Sequence, residues 1–148
     1  MTSGQRLRQI ANLVNASTLL GWLLAKASRT TITRGPRGLV IASGYRWRLP
    51  NAGAFTVGNV VIFRARPEHA LGNPVLLGHE EKHSSHYAWC LGVPFPVLYF
   101  IAAAWSKLRT GNPASGNFFE RHAGLEAGGY IDVTLRKPAP DGAGGREA

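Results

Sequence analysis

The histidines at positions 79 and 83 lie four residues apart in the segment Gly78-His79-Glu80-Glu81-Lys82-His83. On a helix, residues four apart lie one turn above each other on the same face, so both imidazoles reach one metal ion. Glu80 projects about 100° away from His79, which places its carboxylate beside the ion rather than on it. The spacing predicts a zinc site with His79 and His83 as ligands and Glu80 as general base. A solvated helix that happens to carry two histidines and two acids is the alternative interpretation.

A catalytic zinc ion normally has three protein ligands, so this histidine pair requires a partner. His86 follows His83 by three residues on the same face. However, about 10 Å of helix rise separates His86 from His79, and one straight helix does not converge three such groups on one ion. We therefore expect His86 to pack beside the site or to form a hydrogen bond with a ligand.

Glu120 is the predicted third ligand. It begins an i, i+3, i+4, i+7 series with three small residues, Ala123, Gly124 and Ala127, which let helices approach closely. On the same predicted helix, His122 and Glu126 lie about 200° and 240° around from Glu120 and point elsewhere. A surface carboxylate that balances Arg121 is the alternative interpretation of Glu120.

The composition favours one compact domain whose metal site has no cysteine ligands. The chain has 148 residues, 45% of them hydrophobic, and a single cysteine, Cys90. This excludes an internal disulfide and a cysteine-rich zinc site, so histidine and carboxylate must bind any metal. We expect the domain to cover residues 1–134 and a disordered tail, rich in Gly, Pro and Ala, to cover residues 135–148.

The sequence patterns of the segments that must position these residues predict an α+β fold. Residues 29–64 alternate in short runs, with a strand at 45–49 and a tight hairpin at Gly58-Asn59, which favours an antiparallel meander of three to five strands. Asn73-Pro74 opens the helix that carries the histidine pair and ends near Gly92. The apolar run at residues 93–105 predicts a helix that is either in the core or at a membrane interface. Residues 117–133 are predicted to form a final helix.

Residues 5–27 predict one N-terminal helix with a wide apolar stripe. Arg6 and Arg8 precede an apolar run that ends in Ala25-Lys26-Ala27, a pattern also found in cleaved signal peptides. We expect a core-facing helix, with a membrane-surface helix and a signal peptide as the alternatives. We accordingly expect a cytoplasmic protein, with membrane association as an alternative and secretion left open.

The formal charge of +9 is unevenly distributed, because residues 1–67 carry ten Lys or Arg and no acid. Such a half could meet anionic lipid or nucleic acid, and Arg46-Trp47-Arg48 interleaves an aromatic ring with two cations. Scattered arginines on a solvated sheet face explain the pattern more simply. Nucleic acid is therefore the less favoured partner, and peripheral membrane association remains open.

Together, His79-Glu80-x-x-His83 and the later Asn117-Phe118-Phe119-Glu120-Arg121-His122-Ala123-Gly124 resemble the gluzincin branch of zinc metallopeptidases, in a minimal form. The resemblance implies a zincin-like domain with one zinc ion bound by His79, His83 and Glu120, and with Glu80 as base. It also implies that the hairpin near residues 60–63 supplies an edge strand for an extended peptide. The metzincin extension is absent, because His86 and Trp89 occupy its glycine and third-histidine positions.

Hydrolysis of a peptide or protein substrate is thus the first functional hypothesis. Tyr130, Tyr87 and His122 are the candidates for stabilising the oxyanion. The alternative is a non-catalytic, zinc-stabilised domain that binds a protein partner or an anionic membrane through its basic N-terminal half. A glutamate beside an open coordination position favours the enzyme, since a structural metal site has no use for it.

Overall fold

Six α-helices and four strands make up the part of the chain that the computed structural model describes, residues 1–50 and 52–133. The α+β class predicted from the sequence is confirmed. The helices are α1 (Ser3–Val14), α2 (Ser17–Ala27), α3 (Pro67–Leu71), α4 (Pro74–Trp89), α5 (Pro94–Thr110) and α6 (Phe118–Ala123). The strands are β1 (Thr31–Arg34), β2 (Val40–Ser43), β3 (Ala54–Val57) and β4 (Val60–Phe63), and short 3₁₀ helices cover Pro36–Gly38 and Glu126–Gly128.

The sheet has the strand order β1-β2-β4-β3 and is mixed rather than purely antiparallel. The β3–β4 hairpin at Gly58-Asn59 forms as predicted, with Val57 opposite Val60. After β2, the chain forms β3 at the edge of the sheet. The hairpin then reverses the chain, and β4 lies between β2 and β3. β4 consequently runs parallel to β2, with Ile41 opposite Val61. The predicted antiparallel meander is wrong at this one pair.

The strand predicted at residues 45–49 does not form. The Tyr45 ring turns inward, 5.0 Å from the ring of Phe55, and its hydroxyl donates a hydrogen bond to the Leu49 carbonyl. The Arg64 guanidinium donates to the carbonyl oxygens of Arg48 and Pro50, at 3.1 and 2.8 Å. The side chain of Arg64, the residue after β4, thus binds backbone carbonyls of the 45–50 segment. In a sheet, the backbone of a neighbouring strand would bind such carbonyls.

Helices cover both faces of the sheet. Along β4, Val60 and Ile62 pack toward α2, whereas Val61 and Phe63 pack toward Leu77 of α4. This alternation is the period-two pattern of a strand buried on both sides. The result is a three-layer arrangement that holds α4 rigidly against the sheet.

The predicted N-terminal helix over residues 5–27 is two helices. Ala16 has a left-handed backbone (φ 62°), and Asn15 Oδ1 accepts hydrogen bonds from the Ser17 amide and hydroxyl at 3.0 and 2.7 Å. These local bonds replace helical ones and break the helix. The prediction of a core-facing apolar stripe is also wrong for most of the large residues in these two helices. Ile10, Leu13 and Val14 of α1 are exposed, whereas Leu24 of α2 packs partly against the core. The buried positions of α2 are Ser17, Gly21 and Ala25. The helix lies so close to the sheet that a Cβ on Gly21 would be 2.3 Å from the Val57 carbonyl oxygen, so this face needs small residues.

Two predicted helices have different outcomes. The α4 prediction is confirmed, since Asn73 Oδ1 caps the helix by accepting from the Leu76 amide at 3.0 Å. The final helix is shorter than predicted, because it ends at Ala123 and Gly124 takes a positive φ of 98°. The predicted tail at residues 135–148 lies outside the described residues.

Within the described residues, no single helix is long and apolar enough to cross a membrane. Helices α4 and α5 satisfy the length and composition criteria only as a pair, and that pair is bent by 117°.

Candidate metal centre

The middle of α4 and the short helix α6 meet at a cluster of buried polar side chains. His79 and His83 lie on consecutive turns of α4, and Glu120 approaches them from α6. Asn117 begins α6 by accepting a hydrogen bond from the Phe119 amide at 3.0 Å, which places Glu120 in the first turn. The structure thus brings together the three residues predicted as ligands, from segments 37 positions apart in sequence, and all three are buried.

The three potential ligand atoms form a small triangle. His79 Nε2 lies 3.1 Å from His83 Nε2, and Glu120 Oε2 lies 3.3 and 3.6 Å from these two nitrogens. Two ligand atoms on a tetrahedral zinc ion are separated by about 3.3 Å, given bond lengths of about 2.0–2.1 Å. The triangle therefore has the dimensions of a metal-binding site, and the group could hold a metal ion.

Hydrogen bonds at the rear of each side chain orient the three atoms. The Nδ1 atom of His79 lies 3.0 Å from the Gly124 carbonyl oxygen, which can only accept, so Nδ1 carries the proton. In neutral His79, Nε2 then presents a lone pair to the cluster. The Tyr99 hydroxyl donates to Glu120 Oε1, whereas Glu120 Oε2 is buried without a hydrogen-bond partner among the described residues.

Lone pairs of His79 Nε2 and Glu120 Oε2 therefore meet at the centre of the cluster. A buried carboxylate oxygen without a partner is costly, and a buried charge normally pairs or binds a metal. A cation at the centre of the triangle would satisfy Glu120 Oε2 and both imidazole nitrogens together. The residues present thus fit a bound metal ion.

Charge in the cluster keeps Glu120 in its anionic form and makes the surroundings of His79 electronegative. Burial opposes ionisation of Glu120, but the nearby imidazoles of His79 and His83 and the hydrogen bond from Tyr99 outweigh it and lower the pKa of Glu120 to about 2. Burial likewise opposes protonation of His79, but the carboxylates of Glu120 and Glu80 raise its pKa above the ordinary value. Glu120 is therefore an anion at neutral pH, and the site attracts positive charge.

Comparisons of the chain with protein-family models, curated proteins and solved structures found no match. The interpretation of the site therefore rests on its own residues and geometry.

Glu80 is buried beside the triangle and is not one of its three residues. Its Oε2 atom accepts a hydrogen bond of 2.7 Å from the hydroxyl of Thr56 on β3. Burial raises the pKa of Glu80, although His83 and Thr56 act in the opposite direction. A buried carboxylate with a raised pKa beside a candidate metal-binding group could act as a general base.

His86 lies behind the ligand pair, as the helix-rise argument predicts. Its Nδ1 atom lies 3.2 Å from His83 Nδ1, and its Nε2 atom lies 3.0 Å from His122 Nδ1. Burial and the neighbouring His83 and His122 lower the pKa of His86 to about 3, so it is neutral. His122 and Glu126 are exposed, and neither belongs to the metal-binding group.

The three candidates for oxyanion stabilisation occupy different environments. Tyr87 is buried in an aromatic contact, 4.7 Å from the ring of Phe95, and His122 is exposed behind His86. The Tyr130 ring lies 6.2 Å from the His79 ring. Burial, followed by the charges of Glu120 and Glu80, raises the pKa of Tyr130 to about 12, so its hydroxyl keeps a proton that it can donate.

Sequence reasoning missed three residues that contact the site: Thr56, Tyr99 and Gly128. Thr56 is a buried hydroxyl on a strand, and Tyr99 is the one hydroxyl-bearing ring in the apolar segment 93–105, which are weak signals of a polar partner. Gly128 gives no signal in the sequence. A Cβ at that position would lie 2.5 Å from His79 Cε1 and 2.8 Å from Nε2.

The Gly128→Ala substitution is expected to weaken metal binding by at least about tenfold, the usual scale for disturbing the groups that orient a ligand. The new methyl group would displace His79 or the turn that holds its Nδ1 proton. A chelator competition titration measures the affinity.

Gly78→Ala is the matched control, because nothing lies within 4 Å of its Cβ although it adjoins His79 in sequence. It should leave metal affinity unchanged and stabilise α4 by about 0.5–1 kcal/mol in urea unfolding. Equal metal affinity in both variants would show that the 126–128 turn does not press against the site.

Proposed function

We propose that the protein is a small zinc metallopeptidase of the gluzincin kind, with one zinc ion held by His79, His83 and Glu120. The observation that carries the proposal is the buried triangle of ligand atoms with an unpartnered Glu120 Oε2 and Glu80 beside it. Two imidazoles and one carboxylate form the ligand set of zinc peptidases. Calcium and magnesium prefer oxygen ligands, so this set favours zinc.

The proposed chemistry divides between the metal and this chain's own side chains. Bound zinc would act as a Lewis acid and lower the pKa of water at the site to about 7. Glu80 accepts the proton from the attacking water and later delivers it to the leaving amine. The Thr56 hydroxyl holds one oxygen of Glu80 and fixes the direction of the carboxylate. Tyr130 is the proposed donor to the carbonyl oxygen of the substrate.

An extended peptide is the proposed substrate form, paired with β3. The gluzincin resemblance pointed to the hairpin near residues 60–63, but β4 is an inner strand and β3 is the edge. The Gly53 carbonyl accepts from the Arg64 amide, so by antiparallel alternation the backbone groups of Ala54 and Thr56 point away from β4. Thr56 also binds Glu80, so a peptide added to this edge would lie beside the base.

A non-catalytic, zinc-stabilised domain is the second candidate function. It is favoured by the burial of His79, His83 and Glu120, which is typical of a structural site rather than an open one.

Under the peptidase proposal, the 124–130 turn beside His79 must move to admit substrate.

Metal content and metal-dependent proteolysis test the proposal together. The purified full chain should contain about one equivalent of zinc and should digest an unstructured protein. A chelator should stop digestion, and zinc should restore it, because the metal supplies the Lewis acid. Mass spectrometry of the fragments measures cleavage, and elemental analysis measures zinc. Stoichiometric zinc without any cleavage would favour the structural role, and the absence of zinc would contradict both.

A further inference from the structure

Helix α5 leaves most of its apolar surface uncovered by the described residues. It has 17 residues, of which only Phe95 and Ser106 are buried. Phe100, Ile101 and Leu108 are exposed, Leu108 by 84%. Large apolar side chains that gather on one element rather than being scattered singly mark an interaction surface.

The junction of α1 and α2 contacts the turn that precedes α5. Asn15, between α1 and α2, packs against Gly92 in the turn before α5, where a Cβ would lie 3.0 Å from Asn15 Cγ. Val14, Leu91 and Val93, on either side of this contact, are all exposed. We call the exposed apolar residues of α1, α2, α5 and this turn the apolar surface.

Charge around the apolar surface has a single sign. The α1, α2 and α5 segments contain no Asp or Glu. Lys26 Nζ lies 5.2 Å from the ring centre of Trp22 at the end of α2, and Arg109 lies 5.2 Å from that of Trp105 at the end of α5. Tryptophan beside a long cationic side chain suits the boundary between acyl chains and headgroups, where the ring is half immersed and the cation reaches phosphate.

We propose that the apolar surface docks on an anionic lipid bilayer, with Trp22–Lys26 and Trp105–Arg109 as interfacial anchors. Apolar burial and attraction to anionic lipid add together in such binding. A second copy of the chain fits less well, because a symmetric contact would bring cations against cations. The proposal does not depend on peptidase activity.

Flotation of the full chain with lipid vesicles tests this docking. Phosphatidylcholine vesicles containing phosphatidylglycerol should bind the protein at least about tenfold more tightly than pure phosphatidylcholine, and added salt should weaken the binding. Bromine atoms on the acyl chains should quench tryptophan fluorescence in the unmodified protein, which reports insertion without any substitution.

A matched pair of charge substitutions locates the contact. Ile101→Glu combined with Leu108→Glu should lower vesicle affinity at least about tenfold, since two carboxylates would enter the bilayer interface. Val75→Glu, at an exposed position in the first turn of α4, should leave it unchanged.

Recovery of the protein in the unbound fraction with both vesicle types would overturn the proposal. So would equal loss of binding in the Val75→Glu control. A dimer in solution that the paired Ile101 and Leu108 substitutions dissociate, without vesicle binding, would assign the apolar surface to a second copy.

Discussion

The Glu80→Gln variant is expected to lose at least about 100-fold in peptide hydrolysis while zinc stays bound near one equivalent. Glutamine keeps the size of the side chain and can still accept the Thr56 hydrogen bond through its carbonyl oxygen, but it cannot take up a proton. Because Glu80 lies outside the ligand triangle, the metal should be unaffected. Initial rates on a quenched fluorescent peptide and elemental analysis measure the two quantities.

Glu81→Gln is the control for that experiment. Glu81 is the next residue on α4, but its carboxylate faces away from the metal centre and pairs with Arg8 at 2.6 Å and with Arg37. Its substitution should lower stability somewhat and leave both zinc content and hydrolysis near wild type. If Glu80→Gln loses zinc with activity, Glu80 is a ligand or supports one, and its role as base is wrong.

The arrangement of α5 links the two proposals physically. Its inner side supplies Tyr99, whose hydroxyl donates to Glu120, while the adjacent Phe100 is exposed on the apolar surface. Burial raises the pKa of Tyr99, so the hydroxyl remains protonated as a donor. One helix thus orients the Glu120 carboxylate, the proposed ligand, and carries the surface proposed to meet lipid.

The histidine pair of the candidate metal-binding group was predictable because it depends on short-range helical geometry. The positions of His79 and His83 follow from the four-residue spacing on one helix. Glu120 was chosen for the helical face that it shares with Ala123, Gly124 and Ala127, but of these three only Ala123 lies on α6. The helix itself ends at Ala123, where Gly124 takes a positive φ and its carbonyl instead accepts from His79. Glu120 therefore joins the candidate metal-binding group although its helix was predicted too long.

The remaining errors concern features that depend on distant parts of the chain. The parallel pairing of β2 with β4 depends on where β3 settles, which residues 44–53 do not reveal locally. The break at Ala16 competes with an apolar pattern that suits one continuous helix. Which face of α2 is buried was decided by the close approach of Gly21 to Val57, so small residues rather than large ones face the sheet.

Glu120→Gln is expected to weaken zinc affinity by at least about tenfold, which corresponds to about 1.4 kcal/mol. The amide preserves the volume of the side chain and can still accept a hydrogen bond from Tyr99 at Oε1. What the substitution removes is the negative charge and the oxygen that faces the histidines. Because metal bound only by the folded state stabilises it, the rise in melting temperature on adding zinc should shrink.

Glu126→Gln is the matched control, since Glu126 has the same chemistry, lies six residues later and is exposed. It should keep the zinc affinity and the zinc-dependent rise in melting temperature of the wild type. Chelator competition and thermal unfolding with and without zinc measure both variants. Each substitution removes one negative charge, but only Glu120 Oε2 points between His79 and His83. A difference in zinc affinity between the two variants therefore reports the position of the carboxylate and not the loss of charge. Loss of zinc in Glu126→Gln with retention in Glu120→Gln would refute the ligand set and the gluzincin interpretation built on it.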